Sequence, residues 1–138
     1  MKDLPLAEIT LRRYPKPFNL SGRDLVKKTC LSLGLLQLGD GRDTIVDVVL
    51  ALTKGPVSTK HLESIMHRKQ GSRPSNLRRQ LKRLKDLGLI EKVQGNYRFA
   101  NGLSLAELFE EKIKLRTDNI LERVKEYCEA CTNRSKIQ

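Results

Sequence analysis

The sequence has no tryptophan, only three phenylalanines and three tyrosines, so any core it builds must be largely aliphatic. Its three cysteines, Cys30, Cys128 and Cys131, are too few and odd in number for a disulfide framework, which fits a reducing compartment. No stretch approaches the ~18 apolar residues of a membrane span. The N-terminal MKDLPLAEITLRRYPKP lacks the apolar run of a signal peptide. An intracellular, cytoplasmic protein with no membrane association is expected. A glycine-rich phosphate loop, a nucleophile elbow and an acid pair with a base are all missing. Enzyme activity, catalytic residues and cofactors are therefore not expected.

Acidic residues are scarce where basic ones are dense. The net charge is +11, and residues 60–85 hold nine Lys/Arg against Glu63 alone, a net +8 within 26 residues. Residues 1–59 add +3, whereas 86–103 and 104–138 are each balanced. Charge serving solubility alone would be spread more evenly, so this is a patch, and it calls for an anionic partner. Cys128 and Cys131 stand at i and i+3 near the C-terminus, with His61 and His67 remote from them. A lone pair cannot close a tetrahedral zinc site, so no metal is expected. The two histidines fall within the basic region, where they suit phosphate contacts.

With 138 residues and 38% hydrophobic content, the chain has enough for one compact domain with extensions. Pro5, Pro15 and Pro17 keep a long helix out of residues 1–19. Within them EITLRR alternates apolar and polar, which predicts a strand, with an extended arm as the alternative. Helical spacing predicts a helix over 21–36 capped by Ser21, and another over 43–54 with Ile45, Val48, Val49 and Leu52 inward and Asp43 at its start. A third covers 58–69, capped by Ser58, with Leu62, Ile65 and Met66 inward. A fourth covers 74–87, with Leu77, Leu81, Leu84 and Leu87 as its buried stripe and Gly88 ending it. LIEKV and NYRFA then read as a hairpin about Gln94-Gly95-Asn96. From Ser104, with Glu107 completing a capping box, one long helix is expected, followed by a frayed tail NRSKIQ.

The segment NLRRQLKRLKDLGLI followed by EKVQGNYRF resembles the winged helix-turn-helix family of transcription regulators, over about residues 43–100. The resemblance implies a fold that is mainly α with a small β-hairpin. It places helix 74–87 in the major groove of double-stranded DNA and hairpin 89–99 as the wing. The family also includes protein-interaction and RNA-binding, ribosome-associated modules, which form the alternative reading.

A helical wheel bears on the same question. At ~100° per residue, Ser75, Arg79, Lys82 and Arg83 lie roughly opposite the leucines, Asn76 at the margin, Arg78 and Lys85 nearer the flank. Arginine pairs with guanine and asparagine with adenine in the major groove. Ser75, Asn76 and Arg79 are therefore the candidate base-edge contacts, and Arg73, Lys82 and Arg83 the candidate phosphate contacts. Lys92, Gln94 and Arg98 are the candidate wing contacts.

The expected division is an N-terminal arm and helix over 1–42, a winged helix over 43–100 and a C-terminal helix over 101–138. In the last, Ile113, Thr117, Ile120, Val124, Tyr127 and Cys131 follow a 4-3-4-3-4 spacing, a short coiled-coil seam. A homodimer through this helix is the expected assembly. A redox pair or inter-subunit disulfide at Cys128 and Cys131 is the lesser alternative to their packing in the seam.

Overall fold

In the computed structural model, residues 3–39, 43–68 and 74–138 are described, with Pro74 and Ser75 described in backbone only. Residues 3–20 form neither helix nor strand, so EITLRR takes the alternative, an arm without a strand. An isolated strand has no ladder to satisfy its backbone. Instead, Arg12 N–H donates to Ser32 O at 2.9 Å, and its guanidinium donates to Leu31 O at 2.8 Å and Leu36 O at 3.0 Å. One arginine thus pins the arm to the end of the first helix.

That helix, α1 (Gly22–Ser32), stops short of the expected residue 36, and Ser21 makes no side-chain cap bond. The reason is Gly34, whose φ of +70° turns the chain into the left-handed region. Leu35 N–H then donates to Cys30 O at 2.9 Å. The turn brings Leu35 and Leu36 into the core, at 3% and 4% exposure.

Helix α2 (Thr44–Thr53) buries Ile45, Val48, Val49 and Leu52 as expected. It also buries Thr44 and Val46, because α1 packs against it. Asp43 makes no side-chain cap bond; its carboxylate pairs with Arg23 of α1 at 2.8 Å. Strand β1 (Val57–Ser58), which the sequence did not reveal, leads into α3 (Thr59–His67). Ser58 Oγ accepts from His61 N–H at 3.1 Å, the expected cap. Helix α4 (Pro74–Asp86) lays Leu77, Leu81 and Leu84 into the core, and Gly88 closes it at φ +75°. Leu84 is 1% exposed, and its truncation to alanine is expected to cost about 2–5 kcal/mol.

Strands β2 (Ile90–Val93) and β3 (Asn96–Phe99) form the expected hairpin. Gln94 and Gly95 both have positive φ, +52° and +83°, as a two-residue hairpin turn of matching twist requires. Strand β1 pairs antiparallel with β3, Val57 opposite Tyr97, giving the sheet order β1-β3-β2. The wing is therefore anchored to the root of α3.

Helix α5 (Leu105–Leu108) starts with the expected capping box between Ser104 and Glu107. The expected long helix forms without a break over 105–132, but residues 109–113 are a π-helical turn within it, between α5 and α6 (Lys114–Thr132). The tail is not wholly frayed, since Asn133 caps a last short helix, α7 (Arg134–Ile137). Leu108 and Ile113 join Cys30, Leu35 and Leu36 in the same core as α2, α4 and the hairpin. No residue of α6 is buried. Among the described residues, no helix is long and apolar enough to cross a membrane.

Candidate nucleic-acid interface

The leucine stripe of α4 fixes one side of the helix in the core, and a second side is covered as well. Asn76, Gln80, Arg83 and Leu87 share a flank of α4 at helical spacing. Asn76, 4% exposed, donates from Nδ2 to Thr44 Oγ1 at 2.8 Å. Its Oδ1 accepts from Arg79 Nη2 at 3.0 Å and from Gln80 Nε2 at 3.3 Å. Asn76 is thus a buried strut between α4 and α2. The expectation that it reads a base edge is corrected: with its amide spent and its side chain enclosed, it has nothing to offer a base.

Arg83 is corrected on similar grounds. Its guanidinium donates to Leu35 O at 2.7 Å and to Gly34 O, and the residue is half-buried. These carbonyls belong to the turn where α1 ends, and a guanidinium fork satisfies two of them at once. A phosphate would have to compete with both.

The remaining face of α4 is open. Arg78, Arg79, Lys82 and Lys85 are all exposed, and Asp86 is the one exposed acid among them. Lys82 reaches Asp86 Oδ2 at 3.1 Å but stays 77% exposed in its side chain, so this i,i+4 pair is worth little. Arg78, Lys82 and Lys85 stand at i, i+4 and i+7, a stripe that joins Lys82, expected opposite the leucines, to Arg78 and Lys85, expected nearer the flank. It becomes the outward face because the opposite flank is covered. Of the other expected contacts on this helix, Arg73 lies outside the described residues and the Ser75 side chain is not described.

On the wing, Lys92 is exposed, its Nζ 5.4 Å from the Tyr97 ring centroid, and Gln94 is exposed at the turn. Arg98 is engaged. Its Nε and Nη2 donate to Glu91 Oε2 at 3.0 and 2.8 Å, while Asn101 N–H donates to Glu91 Oε1 at 2.9 Å. The Asn101 amide and then Arg98 hold the Glu91 carboxyl below its ordinary value. Arg98 therefore stabilises the wing across its two strands, and its expected contact role is weakened by that bond.

A cleft of about 480 Å³ opens beside α4, where the arm (Glu8 to Thr10) faces Arg79 and Lys82. Arg116 of α6 also lines it and donates to Asp86 O at 2.7 Å. Arg116 was not singled out from sequence; it stands thirty residues from Asp86, and no local pattern could join them. The exposed side chains of Lys60, His61, His67 and Arg68 on and after α3 extend the basic surface. Cys30 is enclosed, its thiol pushed up to about 12 by burial, whereas Cys128 and Cys131 are exposed. Among the described residues, no three His, Cys, Asp or Glu side chains gather as metal ligands.

Comparison with protein-family models, curated proteins and solved structures found no match for the chain.

Proposed function

We propose that the chain is a sequence-specific double-stranded DNA-binding transcription regulator, resident in the cytoplasm, with α4 entering the major groove and β2-β3 as the wing. The observation that carries this reading is the open face of α4: four exposed cations, Arg78, Arg79, Lys82 and Lys85, against one exposed acid. Like charges on one helix repel, and the exposed Lys82–Asp86 pair offsets little of that, so an anion lying along them is favoured. The succession α2, β1, α3, α4, β2, β3 with sheet order β1-β3-β2 is the arrangement expected of a winged helix. Arg79 is the base-edge contact in this proposal, and Arg78, Lys82, Lys85 and Lys92 neutralise phosphates. A homodimer through α6 would set two α4 helices toward major grooves ~34 Å apart.

Selection from a random duplex pool, followed by salt-dependent titration, tests this. A recovered duplex is expected to bind about 10³-fold more tightly than its scrambled counterpart. Equal affinities would overturn the proposal. The second reading, a winged module for RNA or protein, draws on the enclosure of Asn76 and Arg83. What remains exposed is mostly phosphate-binding chemistry, which any nucleic acid can satisfy. A preference for structured RNA over all duplex DNA in the same titration would establish it.

A further inference from the structure

On the side of the molecule formed by α1 and α5, a second cavity of about 620 Å³ lies between three segments. The arm contributes Tyr14, Pro15 and Pro17; α1 and its end contribute Leu25 and Leu33; Leu105, Phe109 and Ile113 close the far wall. Phe109 and Leu25 stay 42% and 37% exposed, so apolar surface here faces solvent. Such a volume falls within the range of small-molecule sites, which pair apolar walls with a few polar groups.

The polar groups at this cavity have one sign. Lys16 and Lys28 line it, and none of its lining residues is acidic. Thr29 Oγ1 and Ser32 Oγ also line it, but each donates its hydrogen within α1, to Leu25 O and Lys28 O, both at 2.8 Å. Those two hydroxyls offer no donor, so Lys16, Lys28 and the Tyr14 hydroxyl are the side-chain donors for an incoming group, and only the lysines carry charge. Lys28 Nζ rests 4.6 Å from the Tyr14 ring centroid, a cation–π contact between two residues that both line the cavity. We infer that this cavity binds an apolar small molecule carrying a single carboxylate, its body against Leu25, Leu33, Leu105 and Phe109 and its head on Lys28. The complementarity decides the ligand's charge: a cation meets two ammonium groups and no counter-charge, and a neutral body leaves them unused. The inference does not depend on the chain's binding nucleic acid.

The π-helical turn that begins at Phe109 forms part of this wall and leads directly into α6. Irregular turns of this kind recur at functional sites.

The test uses the full chain with decanoate, decanol and decyltrimethylammonium as probes, followed by calorimetry and amide chemical shifts. Decanoate is expected to bind saturably at one site, with shifts concentrated at Thr29, Ser32, Ala106 and Phe109. Decanol should bind about fivefold more weakly and the cation not saturably. Lys28→Gln is expected to bring decanoate down to the decanol affinity without changing decanol. Ala106→Trp, at an exposed position lining the cavity, should abolish binding of both while the chain stays folded. The inference is overturned by equal binding of anion and cation, or by decanoate shifts elsewhere on the chain. It is equally overturned by cavity shifts that follow protein concentration alone, which would mean that a second copy occupies the groove.

Discussion

Asn76 Nδ2 donates to Thr44 Oγ1 at 2.8 Å, and both residues are buried, at 4% and 3% exposure. A residue whose type and place on α4 suggested base reading instead joins that helix to the first turn of α2.

Asn76→Ala leaves the Thr44 hydroxyl enclosed without this donor. The expected cost is about 1–3 kcal/mol in urea unfolding. Thr44→Val in the same chain should recover part of it, because the orphaned hydroxyl is then removed. A cost near zero for Asn76→Ala would mean that the strut contributes nothing.

The basic residues of α4 are expected to divide by exposure. Arg78→Gln and Lys82→Gln should each weaken duplex binding and lower the salt slope by about 0.9 for each phosphate no longer neutralised. Arg83→Met should instead cost about 2 kcal/mol of stability, by freeing two carbonyls of the α1 turn, with the salt slope intact. If Arg83→Met changed the slope while Lys82→Gln did not, the open face would have been assigned wrongly.

Gly34→Ala tests how the arm is held. A Cβ there would lie 2.4 Å from Thr10 O at a φ of +70°. The conformation alone costs about 1–2 kcal/mol for an L side chain, and the close approach forces Thr10 away. The Arg12 amide, bonded to Ser32 O, should then lose hydrogen-exchange protection before the amides of α2 do.

Glu91 predicts a pH response of the wing. Its folded carboxyl lies below the ordinary 4.5, so below pH 4.5 the unfolded chain takes up the proton first. The stabilisation is fully present above 4.5 and is lost as pH falls through the folded value. An NMR titration of the Glu91 carboxyl and the Asn101 amide should share a midpoint below 4.5. A midpoint at or above 4.5 would contradict the hydrogen bonds to this carboxylate.

Val124 and Tyr127 on α6 are 51% and 70% exposed, with Leu121 at 60% beside them. If α6 pairs with a second copy, the chain should sediment as a dimer and Val124→Glu as a monomer. The monomer should keep its helical circular dichroism near that of the body, since no α6 side chain is buried. Identical sedimentation of the two proteins would remove the dimer from the proposal.

Much of the fold was legible because it is local. The leucines at 77, 81 and 84, the Ser58 and Ser104 caps and the Gln94-Gly95 turn each act within a few residues. Strand β1 was not legible: two residues carry no periodicity, and Val57 becomes a strand only because Tyr97 lies opposite. The π-helical turn at 109–113 interrupts an apolar pattern that a regular helix would also display.

By itself the sequence determined that 74–86 is an amphipathic helix, which stripe it buries, and that its surroundings carry most of the excess positive charge. Spacing of three and four residues places side chains on one face whatever the neighbours are. Which of the remaining flanks meets solvent was decided by the tertiary structure alone. The carbonyls of Gly34 and Leu35, almost fifty residues earlier, capture Arg83, and Thr44 captures Asn76. Unpaired backbone carbonyls and buried amides must find partners, and here they found them in polar groups within reach on that side of α4. The open face is what remains exposed: Arg78 and Lys85, Lys82 with only its solvent-exposed pair to Asp86, and Arg79, one nitrogen of which reaches back to Asn76.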